Sequence, residues 1–130
     1  MCISREKQIL FTGYVRYEDM PKFYSIADIG CIPSLWEEPF GLTVIEQMAM
    51  ELPIITTDAG AIPEIVDNTC AFMFERNEML SSNIASAILT LCKQTDMQKN
   101  MGKAGRAIVC ERFSEKIFCE NWFKTICLEG

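Results

Sequence analysis

Short apolar runs alternate with amphipathic stretches along the chain. Four runs, at 9–12, 29–32, 54–57 and 71–74, carry apolar or β-branched residues on both parities. That pattern predicts strands buried on two faces rather than one. Gly13 closes the first run and Pro33 stops the second. Between the strands, 18–27 reads as a helix with Pro21 tolerated in its first turn, 42–50 as a second helix, and 62–66 as a short helical turn. Strand and helix in alternation predict an α/β domain: a parallel sheet of about four strands covered by helices on both sides.

The last third changes period. Leu80, Ile84, Ala87, Ile88 and Leu91 recur at helical spacing over 80–93, and Met97, Met101, Ala104 and Ile108 do so over 97–109. Ser114 is a good N-cap for a final helix bearing Ile117, Phe118, Trp122 and Ile126. These extra C-terminal helices are expected to pack back over one face of the sheet. A complete doubly wound nucleotide-binding domain has five or six strands. Four strands therefore predict an incomplete Rossmann-like sheet, the later part of such a domain, within one domain over 1–130.

Composition narrows the function classes. The chain has 130 residues, 49% of them hydrophobic, and a net charge of −6 from 12 Lys+Arg against 18 Asp+Glu. That is globular, sufficient for one core, and unsuited to a nucleic-acid or anionic-membrane surface. There is no His, which removes imidazole bases, His triads and His metal sites. Seven cysteines show no two-residue spacing of the zinc or redox kind; they read as buried reduced thiols of a cytoplasmic protein. No apolar stretch approaches the ~20 residues of a membrane span, and the N-terminus does not read as a signal peptide.

The segment with chemistry runs from Ser34 to Glu46. A strand ends at Ile32, a loop crosses the carboxyl edge of the sheet, and a helix begins near Gly41. Ligands of open α/β sheets bind there. Backbone N–H groups of Gly41, Leu42 and Thr43 at a helix start suit an anion such as phosphate. The Thr43 hydroxyl offers a further donor. Glu46 lies one turn in, on the same face as Leu42, where a carboxylate suits the vicinal hydroxyls of a ribose. Glu38 precedes the helix and reaches the other side of the same ligand. On the residues alone, Glu38 reads equally as a solvated loop residue and Glu46 as a surface charge. No Gly-Lys-Ser/Thr P-loop and no dinucleotide fingerprint is present.

The segment Glu38-Pro-Phe40-Gly41-Leu42-Thr43-Val-Ile-Glu46 resembles the two-glutamate signature of retaining glycosyltransferases of family 4, the group 1 transferases of the GT-B fold. The resemblance extends from about Ile9 to Ile126. Phe11-Thr-Gly-Tyr-Val15, Tyr24-Ser-Ile-Ala-Asp-Ile-Gly-Cys-Ile-Pro-Ser34, Leu52-Pro-Ile-Ile-Thr-Thr-Asp58, Gly60-Ala-Ile-Pro-Glu-Ile-Val66 and Phe113-Ser114 follow in the family's order. It implies transfer of a sugar from a nucleotide-sugar, often UDP-linked, to a glycan or lipid acceptor, with retention and without a bound metal or other cofactor. It places Phe40, Gly41, Leu42 and Thr43 at the donor diphosphate, Glu46 at the ribose hydroxyls, and Glu38 beside donor sugar and phosphate as the catalytic residue. Tyr14 and Val15 fall where the family often contacts the base. Three positions depart from the pattern: Glu51 and Cys70 stand where Gly is frequent, and Ala61 replaces a second glycine.

The family's acceptor-binding N-terminal domain, and the Arg and Lys that neutralise its leaving diphosphate, have no counterpart in this sequence. Little or no transfer is expected of this chain alone, and self-association through an unpaired sheet edge is expected. A non-catalytic nucleotide-sugar-binding module, pairing with a separate acceptor-domain chain, is the second reading. A receiver-like regulatory domain shares the length but needs acidic residues after the first strand, where Gly13-Tyr14-Val15 offers none.

Overall fold

The computed structural model describes residues 9–127. A 3-10 turn (Tyr17–Asp19) leads into helix α1 (Met20–Tyr24), and strand β1 (Gly30–Ile32) follows. Then come α2 (Leu42–Ala49), β2 (Ile54–Thr57), α3 (Ile62–Ile65), β3 (Ala71–Phe74), α4 (Leu80–Lys93), α5 (Thr95–Arg112) and α6 (Glu115–Cys127). Among the described residues the sheet has three parallel strands in the order β1-β2-β3. The α/β class with a parallel sheet flanked by helices is as the sequence predicts.

The expected strand over 9–12 is absent: that stretch has no regular secondary structure, and Ile9, Leu10 and Phe11 are largely exposed. A doubly wound sheet has the order 3-2-1-4-5-6, so the strand just before the switch point pairs with an earlier strand, not with the next one. No earlier strand is among the described residues, and a strand without a partner row has nowhere to place its N–H and C=O groups. The helix expected over 18–27 is also shorter. Asp19 accepts from both Arg16 (3.0 Å) and Lys22 (2.7 Å), and this local knot holds the entry as a 3-10 turn.

Strand β2 carries the core. All four of its residues are buried, because helices cover both of its faces. Ile54 packs with Val44, Ile45 and Met48 of α2, with α3, and with Val109 of α5; Ile55 packs on the opposite face with Ala87, Leu91 and Met101. The edge strands are only half covered. Cys31 on β1 and Met73 on β3 are exposed. Burial of the thiols holds at Cys70 alone among the described residues, where it pushes the pKa up; Cys92, Cys110 and Cys119 lie on outward helix faces. Cys31, Cys70, Cys92, Cys110 and Cys119 are free.

Helix α6 is capped as predicted, with the Ile117 N–H donating to Ser114 Oγ at 3.4 Å. Its apolar stripe, however, faces outward at Phe118, Trp122 and Ile126. Periodicity reports amphipathicity but not what covers it.

Helix α2 ends in a left-handed turn. The Glu51 N–H donates to Met48 O (3.0 Å) and the Leu52 N–H to Gln47 O (3.2 Å), the paired bonds of a Schellman motif. The C′ residue of that motif is usually glycine, and here Glu51 itself takes φ +59°. Arg106 steadies the turn by donating to Ala49 O (2.7 Å), beside the negative end of the helix dipole. Replacing Glu51 by glycine is expected to raise stability by about 0.5 kcal/mol. It relieves a left-handed strain of about 1–2 kcal/mol against a glycine entropy cost of about 0.5–1 kcal/mol. Urea denaturation of the two proteins checks this.

Candidate donor-binding site at the carboxyl edge

The loop after β1 and the start of α2 meet at the carboxyl ends of the strands. Gly41 is the N-cap of α2 with φ +82°, and it is buried. A side chain there would be strained by the backbone angle and would press on Ile65 Cδ1 at 2.8 Å. Gly41 O accepts from the Val44 N–H (3.0 Å) and the Ile45 N–H (3.2 Å). Among the described residues, the N–H groups of Gly41, Leu42 and Thr43 have no such acceptor, and no side chain caps the helix. They form a row of donors at the positive end of an eight-residue helix.

Glu46 stands one turn further on, half-buried, with Tyr24 Oη donating to its Oε2 at 3.0 Å. One carboxylate oxygen is thereby held, and the other makes no hydrogen bond among the described residues. Burial first, and then the hydrogen bond to Glu46, pushes the Tyr24 phenol up to about 12. The neutral phenol therefore stabilises the fold fully below the ordinary tyrosine value of about 10, and this contribution is lost as pH rises through about 12. In an absorbance titration of phenolate, one of the three tyrosines is expected to ionise late. Tyr24→Phe should remove that late step. Glu46 also borders a mainly apolar pocket of about 260 Å³ formed with Tyr17, Met20, Pro21, Tyr24 and Met50.

Glu38 is held separately. Ser34 Oγ donates to its Oε1 at 2.6 Å, and Ser34 O in turn accepts from Thr57 Oγ1 at 2.6 Å. Thr56 Oγ1 donates to Ile32 O at 2.9 Å. Two buried threonine hydroxyls thus follow the loop as it leaves the sheet, where β1 and β2 separate. The two glutamates take different hydrogen-bond partners. Phe40 and Leu42 border a second space, an apolar groove of about 280 Å³ with Ile45, Phe113 and Phe118, where Phe40 and Phe113 meet edge to face (6.4 Å, 85°). Tyr14 is exposed and Val15 half-buried, on the segment leading into α1.

Sequence reasoning missed Tyr24, Gly60 and Arg76. The Gly60 N–H donates to Glu37 Oε2 (2.6 Å) and the Ala61 N–H to Glu38 O (2.9 Å), so the turn after β2 clasps the loop after β1. A Cβ on Gly60 would run into the Glu38 backbone. Arg76 pairs with Glu37 (2.8 Å) and Asp58 (3.2 Å), and the pairing with Arg76 holds the Glu37 carboxyl below its ordinary value. Glycine in the run Asp58-Ala-Gly60 was a visible turn signal; the other two had none in the local pattern. Among the described residues, no group of three His, Cys, Asp or Glu is placed to hold a metal ion. No described helix is long and apolar enough to cross a membrane.

Residues 4–108 match the family described as glycosyl transferases group 1. The chain belongs to that family. Among group 1 relatives it is 31% identical over 114 residues to the N-acetyl-alpha-D-glucosaminyl L-malate synthase of Bacillus anthracis, covering 86% of this chain and 29% of the other. It is 32% identical over 104 residues to the capsular polysaccharide biosynthesis glycosyltransferase CapM of Staphylococcus aureus (79% and 27%). It is also 26% identical over 117 residues to spore coat protein SA of Bacillus subtilis (strain 168) (90% and 31%). In structure it superposes on the sucrose-phosphate synthase of Thermosynechococcus elongatus with a TM-score of 0.80 and 23% identity, over 95% of this chain and 31% of that one. This glycosyl transferase chain therefore spans under a third of the length of these relatives.

Proposed function

We propose that the chain forms the donor-binding part of a retaining, family 4 glycosyltransferase of the GT-B type that uses a nucleotide-sugar, UDP-linked by preference. The observation that carries this reading is the row of unused N–H donors at Gly41, Leu42 and Thr43 with Glu46 one turn beyond. Helix rise of 1.5 Å per residue sets Glu46 about 6 Å from Leu42, the scale of a diphosphate joined to a ribose. In this reading the diphosphate lies on the donors beside Phe40. The free oxygen of Glu46 receives the ribose hydroxyls, and Glu38 lies against the donor sugar at the reacting end. As the bond from the sugar to the diphosphate breaks, negative charge gathers on the phosphate oxygens, and preorganised N–H groups stabilise it without reorganising. The acceptor, a glycan or lipid, would be held by residues outside this chain. Names of the relatives, which include a capsular polysaccharide biosynthesis enzyme, support a role in polysaccharide or glycoconjugate synthesis. Five free thiols are in keeping with a cytoplasmic setting.

Calorimetric titration with UDP, GDP and ADP tests this reading. Binding of one diphosphate, weakened in Glu46→Gln, supports the donor site and names the base. Absence of binding to all three counts against it.

A further inference from the structure

One guanidinium ties together the exits of all three strands. Arg76 lies two residues beyond β3, Asp58 one residue beyond β2, and Glu37 in the loop after β1. The Arg76 Nη1 reaches Glu37 Oε1 at 2.8 Å and its Nε reaches Asp58 Oδ1 at 3.2 Å. The other oxygen of Glu37 accepts from the Gly60 N–H, and the neighbouring Ala61 N–H donates to Glu38 O. The cation is thus connected through Glu37 and the Gly60 turn to the backbone of Glu38. Its side chain is 27% exposed, against 68% for Glu37, so the charge sits partly withdrawn from water between its two carboxylates. Leu35 and Trp36, on the same loop, are exposed at 73% and 66% and do not anchor it by burial.

We propose that Arg76 is a positioning residue for the donor site: by clasping Glu37 and Asp58 it fixes the 34–41 loop at the place where Glu38 meets the donor. The inference rests on the donor reading above. A plain surface ion pair differs in what it affects. Exposed pairs contribute little to stability and nothing to a distant ligand. A clasp changes the order of the loop it holds, and with it the geometry of binding.

The test compares the unaltered chain with Arg76→Gln, Arg76→Lys and Lys116→Gln, the last removing a cation on α6 that pairs with Glu120 at 3.9 Å. Amide hydrogen exchange at Gly60 and Ala61, whose N–H groups donate to Glu37 and Glu38 of the loop, is read without ligand, and UDP affinity is read by calorimetry. In Arg76→Gln, exchange at Gly60 and Ala61 is expected to rise about tenfold and UDP affinity to fall about tenfold, with α4 and α5 unchanged. Lysine should recover part of both effects, since it reaches one carboxylate, and Lys116→Gln should alter neither. Unchanged exchange at Gly60 and Ala61 in Arg76→Gln overturns the proposal. So does faster exchange with undiminished UDP affinity where Glu46→Gln does weaken binding. If none of UDP, GDP and ADP binds even the unaltered chain, the donor reading falls, and exchange alone decides whether Arg76 fixes the loop.

Discussion

Met48→Ala is expected to lower the free energy of unfolding by about 3 kcal/mol, the largest stability effect of any substitution considered in this chain. Met48 is fully buried in the last turn of α2 and belongs to the larger core cluster. Its Cβ and Cγ lie against the position a Cβ on Gly105 of α5 would take, at 3.5 and 3.4 Å, so the two helices approach closely. Alanine would remove three heavy atoms from that contact. Backbone held on both sides closes such a cavity poorly, so the transfer loss and the cavity loss add. Leucine in place of methionine keeps the volume and should cost less than about 1.5 kcal/mol. Urea unfolding followed by circular dichroism reads both values. A loss under about 1 kcal/mol for alanine would mean that α2 and α5 close over the gap.

Glu46→Gln is expected to weaken nucleoside-diphosphate binding by about 2- to 30-fold while leaving the fold intact. Hydrogen bonds to a charged acceptor contribute about 1.5–3 kcal/mol, against about 1 kcal/mol for a neutral one. Glutamine keeps the shape and an oxygen for the Tyr24 hydroxyl, which donates to Glu46 Oε2 at 3.0 Å. The substitution therefore isolates the charge from the packing. Titration with the nucleoside diphosphate and with the nucleoside alone separates the site's parts. The loss should be equal for both if Glu46 receives the ribose, and confined to the diphosphate if Glu46 acts on the phosphates. An affinity unchanged by the substitution would remove Glu46 from the site.

Much of the fold was legible where burial is symmetrical or the pattern local. The strand over Ile54–Thr57 and the helix over Leu80–Lys93 match their expected bounds. Both faces of β2 are covered, and α4 turns one stripe, with Ala87 and Leu91, toward Ile55. What stayed hidden depends on partners. A strand over 9–12 needs a neighbour that local composition cannot supply. The cysteines sit on stripes whose outward side cannot be told from the inward one by spacing. The two-glutamate segment stood out because it joins a strand exit to a helix start, where backbone chemistry is generic. Arg76 did not, because its link to Glu37 spans 39 positions and reaches from the exit of β3 past β2 to the loop after β1.

The far end of α2 is bolted down. Gly102 brings α5 against the Glu51 carbonyl, Arg106 grips Ala49 O, and the Schellman turn closes the helix. The near end, which presents the donors, is therefore one face of a stiff post. A ligand arriving there meets an anvil, and the compliance needed to seat it falls on the 34–41 loop. Mechanical give and chemical contact are thereby assigned to different segments. Changes in the loop should retune which ligand fits, while changes beneath the post should alter only how long the molecule stays folded.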